Sequence, residues 1–260
     1  MNILVCIKEV PDTGSQITLD ERGKWIDESK ASFRMNRYDE HALEEALKIK
    51  DILPDTAVHA LTFGPARAAR TVRRALETGA DEGFHVLSPE GFADAPSTSA
   101  AISAHAKAHS YDLILCGVMS EDSMQSQVGP MIAAMIDVPF TVQAVSIKID
   151  PEISHATVER ELSGSRRQML RIKLPCLITV QTGINRPRYP SLSNVLRARK
   201  QPLNTFKPDL DLKQDDSFTL HYPDVSSKGT FIEGTPEVKA GRLVQILNEH
   251  SLVKVRPCLL

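Results

Sequence analysis

The feature that most narrows the fold is an alternation. Through the first two-thirds of this 260-residue chain, short aliphatic runs take turns with longer segments whose apolar residues recur every three or four positions. Ile3-Leu4-Val5-Cys6-Ile7 is continuously apolar and rich in β-branched residues, the pattern of a strand covered on both faces. From Asp39 the period changes: Ala42, Ala46, Ile49 and Leu53 mark one face of a helix that Pro54 stops. Ala57–Thr62 reads as the next strand, and a helix with the stripe Ala69, Val72 and Leu76 follows, opened by Pro65 and closed by Gly79. Gly83–Leu87, a helix over Ser97–His109, Asp112–Cys116 and a helix over Gly129–Ile136 continue the series. Strands joined by crossover helices run parallel, so the expectation is an open parallel α/β sheet. Ile17–Ile26 interrupts the series as a small hairpin turning at Arg22-Gly23.

Past Pro139 the pattern changes. Thr141–Ile149, Ala156–Leu162 and Gln168–Leu174 read as an antiparallel meander with one wet face, because Leu170, Ile172 and Leu174 alternate with Met169, Arg171 and Lys173. Cys176–Gln181 returns as a buried strand. The expected division is a domain over 1–203, including a loop over 182–205, and a C-terminal arm over 204–260. That arm carries the acidic stretch 209–216 and a short helix capped by Thr235 with Pro236 first.

Charge and composition exclude more than they assign. A net charge of −2 lacks the cationic field of a nucleic-acid binder. No apolar run is long enough to span a bilayer, and the N-terminal run ending at Lys8 is too short for a signal-peptide core, so a cytoplasmic setting without membrane insertion is expected. Cys6, Cys116, Cys176 and Cys258 show no C-x-x-C spacing and read as reduced thiols.

In an open α/β sheet, ligands bind beyond the carboxyl ends of the strands. Here those ends are Cys6-Ile7-Lys8, Phe63-Gly64, and Cys116-Gly117 with the polar loop that runs to Val128. Small and amide side chains ahead of a helix N-terminus suit a phosphate, and equally suit a plain polar loop that caps a helix. Neither a Walker A loop nor a G-x-G-x-x-G fingerprint is present. His105 and His109 stand four apart, but Ala106 occupies the place of the glutamate a zinc protease needs, so no metal site is expected. Ser163-Gly164-Ser165-Arg166 reads as a turn, and nothing marks a catalytic acid–base pair or nucleophile. The segment Thr182–Lys200 is the remaining unusual one. Arg186, Arg188, Arg197, Arg199 and Lys200 surround Tyr189-Pro190-Ser191-Leu192 with no acid between Asn185 and Gln201. This reads as a docking loop with an apolar anchor in a charged rim, ahead of the alternative of a solvated loop whose basic helix end matches its own dipole.

These pieces together resemble the β subunit of electron-transfer flavoproteins. The blocks that carry the resemblance are Leu4-Val5-Cys6-Ile7-Lys8 with Val10-Pro11-Asp12, Met35-Asn36-Arg37-Tyr38-Asp39-Glu40, Phe63-Gly64-Pro65-Ala66, Ala75-Leu76-Glu77-Thr78-Gly79-Ala80-Asp81 and Asp112–Gly117. Val158-Glu159-Arg160-Glu161, Lys173-Leu174-Pro175 and Asn185-Arg186-Pro187-Arg188-Tyr189-Pro190-Ser191-Leu192 complete them, in order from residue 2 to about 203. The resemblance implies an adenine nucleotide alpha hydrolase-like sheet and a heterodimer whose α subunit holds the redox FAD. It also implies passage of electrons from acyl-CoA dehydrogenases or similar flavoenzymes of fatty acid oxidation to a quinone oxidoreductase or other acceptor. This chain is then a carrier subunit with no chemistry of its own.

The family's nucleotide contacts fall on Cys6, Asn36, Arg37, Tyr38, Asp39, Phe63 and Gly117, and on Asp122, Ser123, Met124, Gln125, Ser126, Gln127 and Val128. Partner docking falls on Arg188, Tyr189, Leu192 and Arg197, with Glu161 matching a glutamate tied to the position of the flavin domain. AMP-binding members read D-x-D-x-N-Q-T-G in the polar loop; members with a second, bifurcating FAD read D-G-[DN]-T-A-Q-V-G-P. Here Asp122-Ser123-Met124-Gln125-Ser126-Gln127-Val128-Gly129-Pro130 ends like the second type but lacks its glycine and inner acid. AMP as a structural ligand is the expectation; a second FAD with NADH oxidation is the alternative, and a stand-alone adenine-nucleotide module a further one.

Overall fold

A computed structural model describes residues 1–88, 93–150, 152, 154–209, 218–223 and 229–250. Residues 210–216 of the expected acidic stretch, and Cys258, lie outside the described residues. Strand β1 (Asn2–Cys6) is followed by the short pair β2 (Glu9–Pro11) and β3 (Phe33–Met35), then helix α1 (Arg37–Ile52) and strand β4 (Ala57–Gly64). Helix α2 (Ala69–Thr78), β5 (Glu82–Leu87), α3 (Ala95–Ala108), β6 (Leu113–Gly117) and α4 (Val128–Ile136) continue the alternation. The meander β7 (Phe140–Ile149), β8 (His155–Leu162) and β9 (Arg166–Lys173) leads to β10 (Cys176–Val180), α5 (Leu192–Lys200) and β11 (Asn204–Phe206).

Among the described residues one sheet of nine strands runs in the order β11-β5-β4-β1-β6-β10-β7-β8-β9. Its first seven strands pair in parallel; β7-β8 and β8-β9 are antiparallel, as the alternation predicts. The odd residues of β1, Ile3 and Val5, face α1 and α2, while Leu4 and Cys6 face the core under α3 and α4. That two-sided burial is why β1 is a continuous apolar run. The chain lays down β4 and β5 on one side of β1, then returns past it to β6 and β10 on the other. The order therefore reverses between β1 and β6, and a crevice opens there between diverging loops.

Two details differ from the expectation. Pro65 precedes a single 3₁₀ turn, Ala66–Ala68, before α2 begins. Asn204–Phe206, expected in the arm, forms β11 on the sheet edge against β5, and the compact unit runs from Met1 to Leu220. The second unit, from His221, contains α6 (Pro236–Glu249), whose N-cap is Thr235; its Val238, Leu243 and Val244 are exposed. The expected hairpin is present as a Leu19–Ile26 bridge, with Gly23 in the left-handed region at φ 65°.

One side of the sheet carries an aromatic cluster around the buried His105. Tyr111 Oη lies 3.2 Å from His59 Nδ1 and 3.0 Å from His105 Nε2, and His105 stacks on His109 at 4.1 Å between ring centres. Burial pushes the His105 imidazole down to about 4, helped by repulsion from His109 and His59. A histidine whose folded value lies below its unfolded one favours the fold while neutral, and that contribution is lost as pH falls from about 6.5 towards 4. His105→Gln is expected to reduce the acid-side loss of melting temperature across that window relative to wild type, measured by scanning calorimetry at half-unit steps. A profile parallel to wild type contradicts the assignment. Among the described residues no group of three or more His, Cys, Asp or Glu side chains is placed to hold a metal ion.

Candidate functional site: a cleft at the carboxyl edge

A crevice sits where the strand order reverses. Its walls bound about 1060 Å³ of space, part of it open to solvent. Cys6-Ile7-Lys8 at the end of β1, Phe63-Gly64-Pro65 at the end of β4 and Cys116-Gly117 of β6 form its base, and the loop from Val118 to Val128 its cover.

Asp39 organises the base. Its Oδ2 accepts from Lys8 N at 2.8 Å and its Oδ1 from Gly117 N at 2.9 Å, so one carboxyl ties the ends of β1 and β6 to the first turn of α1. Burial pushes this carboxyl up to about 7, against the pull of those two N–H groups. Gly117 is required by close approach: a Cβ there would stand 2.5 Å from both Asp39 Oδ1 and Tyr38 Cβ. Asn36 precedes α1 without capping it through its side chain. Its amide instead holds the cover, donating to Met119 O at 2.9 Å and accepting from Glu121 N at 3.1 Å.

The cover runs into α4. Met124 and Ser126 occupy the left-handed region at φ 52° and 55°, and Gln127 follows at φ −95°, ψ −36°. A left-handed residue next to a right-handed one curves successive N–H groups into a concavity, and the first-turn N–H groups of α4 have no intrahelical partner. Ser126, Gln127, Val128 and Gly129 all line the cleft, so an anion can be held here by backbone alone. The two cations on the lining are already engaged. Lys8 Nζ sits 2.7 Å from Asp122 Oδ2 and 3.3 Å from Ser120 Oγ. Arg67 pairs with Glu9 and Glu28 and lies over the Phe33 ring at 3.7 Å. Burial raises the Cys6 and Cys116 thiols, which keeps them protonated packing groups.

Of the expected nucleotide residues, the lining includes Cys6, Asn36, Asp39, Phe63, Gly117, Ser123, Gln125, Ser126, Gln127 and Val128. Four others stand off it. Arg37 is exposed and turned to Glu121 at 3.6 Å, Tyr38 packs behind Gly117, Asp122 holds Lys8, and Met124 points to solvent. Lys8, named among the strand ends, also lines the cleft, as do Arg67 and Thr98, which were not expected; Arg67 adjoins a quoted block, and Thr98, on the alanine-rich α3, carries no sequence signal.

The segment expected to dock a partner also divides. Tyr189 and Leu192 are 92% and 76% exposed, as an anchor requires. Of the two arginines expected in the charged rim, Arg188 is partly buried, while Arg197 stays exposed with one nitrogen committed to backbone carbonyls. Arg188 grips Glu44 and Asp51 of α1, and Arg197 donates to Leu76 O and Ala80 O at the end of α2. Their guanidinium groups satisfy buried or helix-terminal acceptors, which a rim in water cannot offer. Glu161 lies on β8 opposite Arg167, partly exposed.

The fold and cleft define an open-sheet α/β protein with a ligand crevice at its topological switch point. A family model described as "Electron transfer flavoprotein domain" matches residues 24–211. The chain is 32% identical over 263 residues to the electron transfer flavoprotein subunit beta of Bacillus subtilis, covering 97% of this chain and 100% of that one. It is 35% identical over 269 residues to the "Caffeyl-CoA reductase-Etf complex subunit CarD" of Acetobacterium woodii, covering 97% and 100%. With the human electron transfer flavoprotein subunit beta it shares 32% over 249 residues, covering 92% and 96%. The chain belongs to the electron transfer flavoprotein family, as a beta subunit. No helix among the described residues is long and apolar enough to cross a membrane.

Proposed function

We propose that this chain is the nucleotide-holding subunit of a heterodimeric electron carrier, that it binds AMP in the cleft as a structural ligand, and that a partner α subunit carries the redox FAD. Electrons then pass from an acyl-CoA dehydrogenase or similar flavoenzyme to a quinone oxidoreductase or other acceptor, with this subunit supplying binding surfaces rather than catalytic groups. The observation that carries the AMP assignment is the make-up of the cleft. Its anion donors are the backbone groups from Ser126 to Gly129, while Lys8 and Arg67 are neutralised by Asp122, Glu9 and Glu28. One phosphate suits such a site better than a chain of several.

Co-expression with the partner subunit, followed by extraction and chromatography of bound nucleotides, is expected to return one FAD and one AMP per heterodimer. Two FAD and no AMP support the second reading, a bifurcating flavoprotein that oxidises NADH. That reading draws on the likeness to CarD and on the Gln127-Val128-Gly129-Pro130 ending of the loop. Leu192→Ala is expected to raise KM for the reducing dehydrogenase about 30-fold, the effect of losing a buried anchor residue. Flavin content should stay that of wild type; an unchanged KM removes the docking assignment.

A further inference from the structure

We propose that Arg188 and Arg197 are positioning residues which hold the docking segment in its binding conformation before any partner arrives; this rests on the reading of 182–205 as the docking segment. Arg188 makes a three-point grip on a buried carboxylate. Its backbone N donates to Glu44 Oε2 at 3.0 Å, its Nε to the same oxygen at 2.8 Å and its Nη2 to Glu44 Oε1 at 3.0 Å. The same Nη2 reaches Asp51 Oδ2 at 2.7 Å, two turns further along α1. Three residues earlier, Asn185 donates to His41 O and Glu45 Oε2, both at 2.9 Å. The stretch 185–188 is thus laid along one side of α1, held by charge-assisted and bidentate bonds.

The second fixed point is an exchange of arginines between two helix ends. Arg197 of α5 donates to Leu76 O and Ala80 O at the C-terminus of α2, at 3.1 and 3.0 Å. Arg73 of α2 donates to Ala198 O and Gln201 O at the C-terminus of α5. Each helix places a cation on backbone carbonyls at the other's C-terminal end, where the helix dipole is negative. Between the two clasps lie eight residues, and these present Tyr189, Leu192 and Leu196, which are 92%, 76% and 50% exposed. Leu192 and Leu196 are four apart on α5 and so share one face. Three large apolar side chains held in water between two anchored ends form a preorganised docking element, in which ordering has been settled in the free subunit. The cations left for a partner's acidic rim are Arg186, Arg199 and Lys200, all exposed.

The test uses the co-expressed heterodimer and two probes, short-chain and medium-chain acyl-CoA dehydrogenases reduced with butyryl-CoA and octanoyl-CoA, keeping the faster donor. Arg188→Met is expected to raise KM for that donor about tenfold with kcat and flavin content unchanged, and to speed hydrogen exchange across 189–196. Asp51→Asn, at an exposed position, should act in the same direction and more weakly, which guards against an unfolded Arg188 variant. Arg188→Lys, with its charge but not its fork, should fall between. Because the clasp acts through the anchor, Arg188→Met should add less than twofold in a Leu192→Ala background. Additive effects, an unchanged KM, or unchanged exchange over 189–196 overturns the inference while leaving the docking reading intact. If Leu192→Ala has no effect, or neither dehydrogenase reduces the wild type, the docking reading itself fails and this inference with it.

Discussion

Gly117→Ala is expected to cost the subunit both its nucleotide and a large part of its stability. The added Cβ would lie 2.5 Å from Asp39 Oδ1, 2.5 Å from Tyr38 Cβ and 3.0 Å from Tyr38 C, so it meets a helix backbone rather than the end of a flexible side chain. Neither neighbour can yield cheaply. Asp39 is held by two backbone N–H groups, and Tyr38 is in the first turn of α1, which packs on the sheet. Overpacking of this kind costs about 3 kcal/mol. In a unit of this size that lowers the melting temperature by roughly 6–12 °C. Relief requires β6 and α1 to separate, and that moves the point from which the covering loop departs. The heterodimer carrying Gly117→Ala should therefore purify with less than a tenth of the wild-type AMP. Retention of full nucleotide with an unchanged melting temperature would falsify the close-contact account. The contrasting change, Gly164→Ala, meets nothing within 4 Å and strains only its φ of 76°, so it should leave the nucleotide in place.

Asp39→Asn has the second-largest expected effect, and its dependence on pH separates the charge from the shape. Both carboxyl oxygens accept a backbone N–H, from Lys8 and from Gly117. An amide of the same shape has one oxygen and one NH₂, so one backbone donor is left facing another donor. A buried donor without an acceptor costs about 2 kcal/mol. That corresponds to roughly 4–8 °C of melting temperature at pH 5, where the wild-type carboxyl is protonated and the substitution relieves no buried charge. The wild-type carboxyl titrates at about 7 in the fold and near 3.8 when free, so the folded state holds the proton more tightly. Its contribution to stability is full below about 4, declines as pH rises towards 7, and is constant above. Asparagine does not titrate. The difference between wild type and Asp39→Asn should therefore be larger at pH 5 than at pH 8, read by denaturant unfolding at each pH. A gap that is constant, or that widens towards pH 8, refutes the raised carboxyl. His105 titrates in an overlapping window with the opposite sign, so only differences between variants at each pH isolate either group.

Much of the architecture was legible because the relevant physics is local. A strand covered on both faces must be apolar throughout, and Ile3–Ile7 is. A helix packed on one side must repeat every three to four residues, and α1 does so through Ala42, Ala46 and Ile49. The wet face of β9 was equally plain, from the alternation of Leu170 and Ile172 with Met169 and Arg171. What escaped was short or polar. Strand β11 is only Asn204-Thr205-Phe206, with no periodicity to read, and it exists because β5 offers an unpaired edge. At the cleft, identity was visible but direction was not. Asp122 and Met124 stand in the same loop as Ser126 and Gln127, yet two left-handed residues rotate the backbone so that Met124 faces water and Asp122 turns to Lys8.

The sequence by itself determined the alternation of buried strands and amphipathic helices, and with it a parallel sheet with a crevice at its carboxyl edge, since periodicity and burial are written residue by residue. It also carried the blocks that place the chain in its family. Only the tertiary structure decided how the charges are used. Arg188 finds Glu44, 144 positions away in the chain, and Arg197 finds Leu76 O at 121, so two cations that look like a docking rim also fasten one element to another. The reason is that an ion pair is a property of two side chains in space. Sequence spacing says nothing about partners so far apart until the sheet has brought them together.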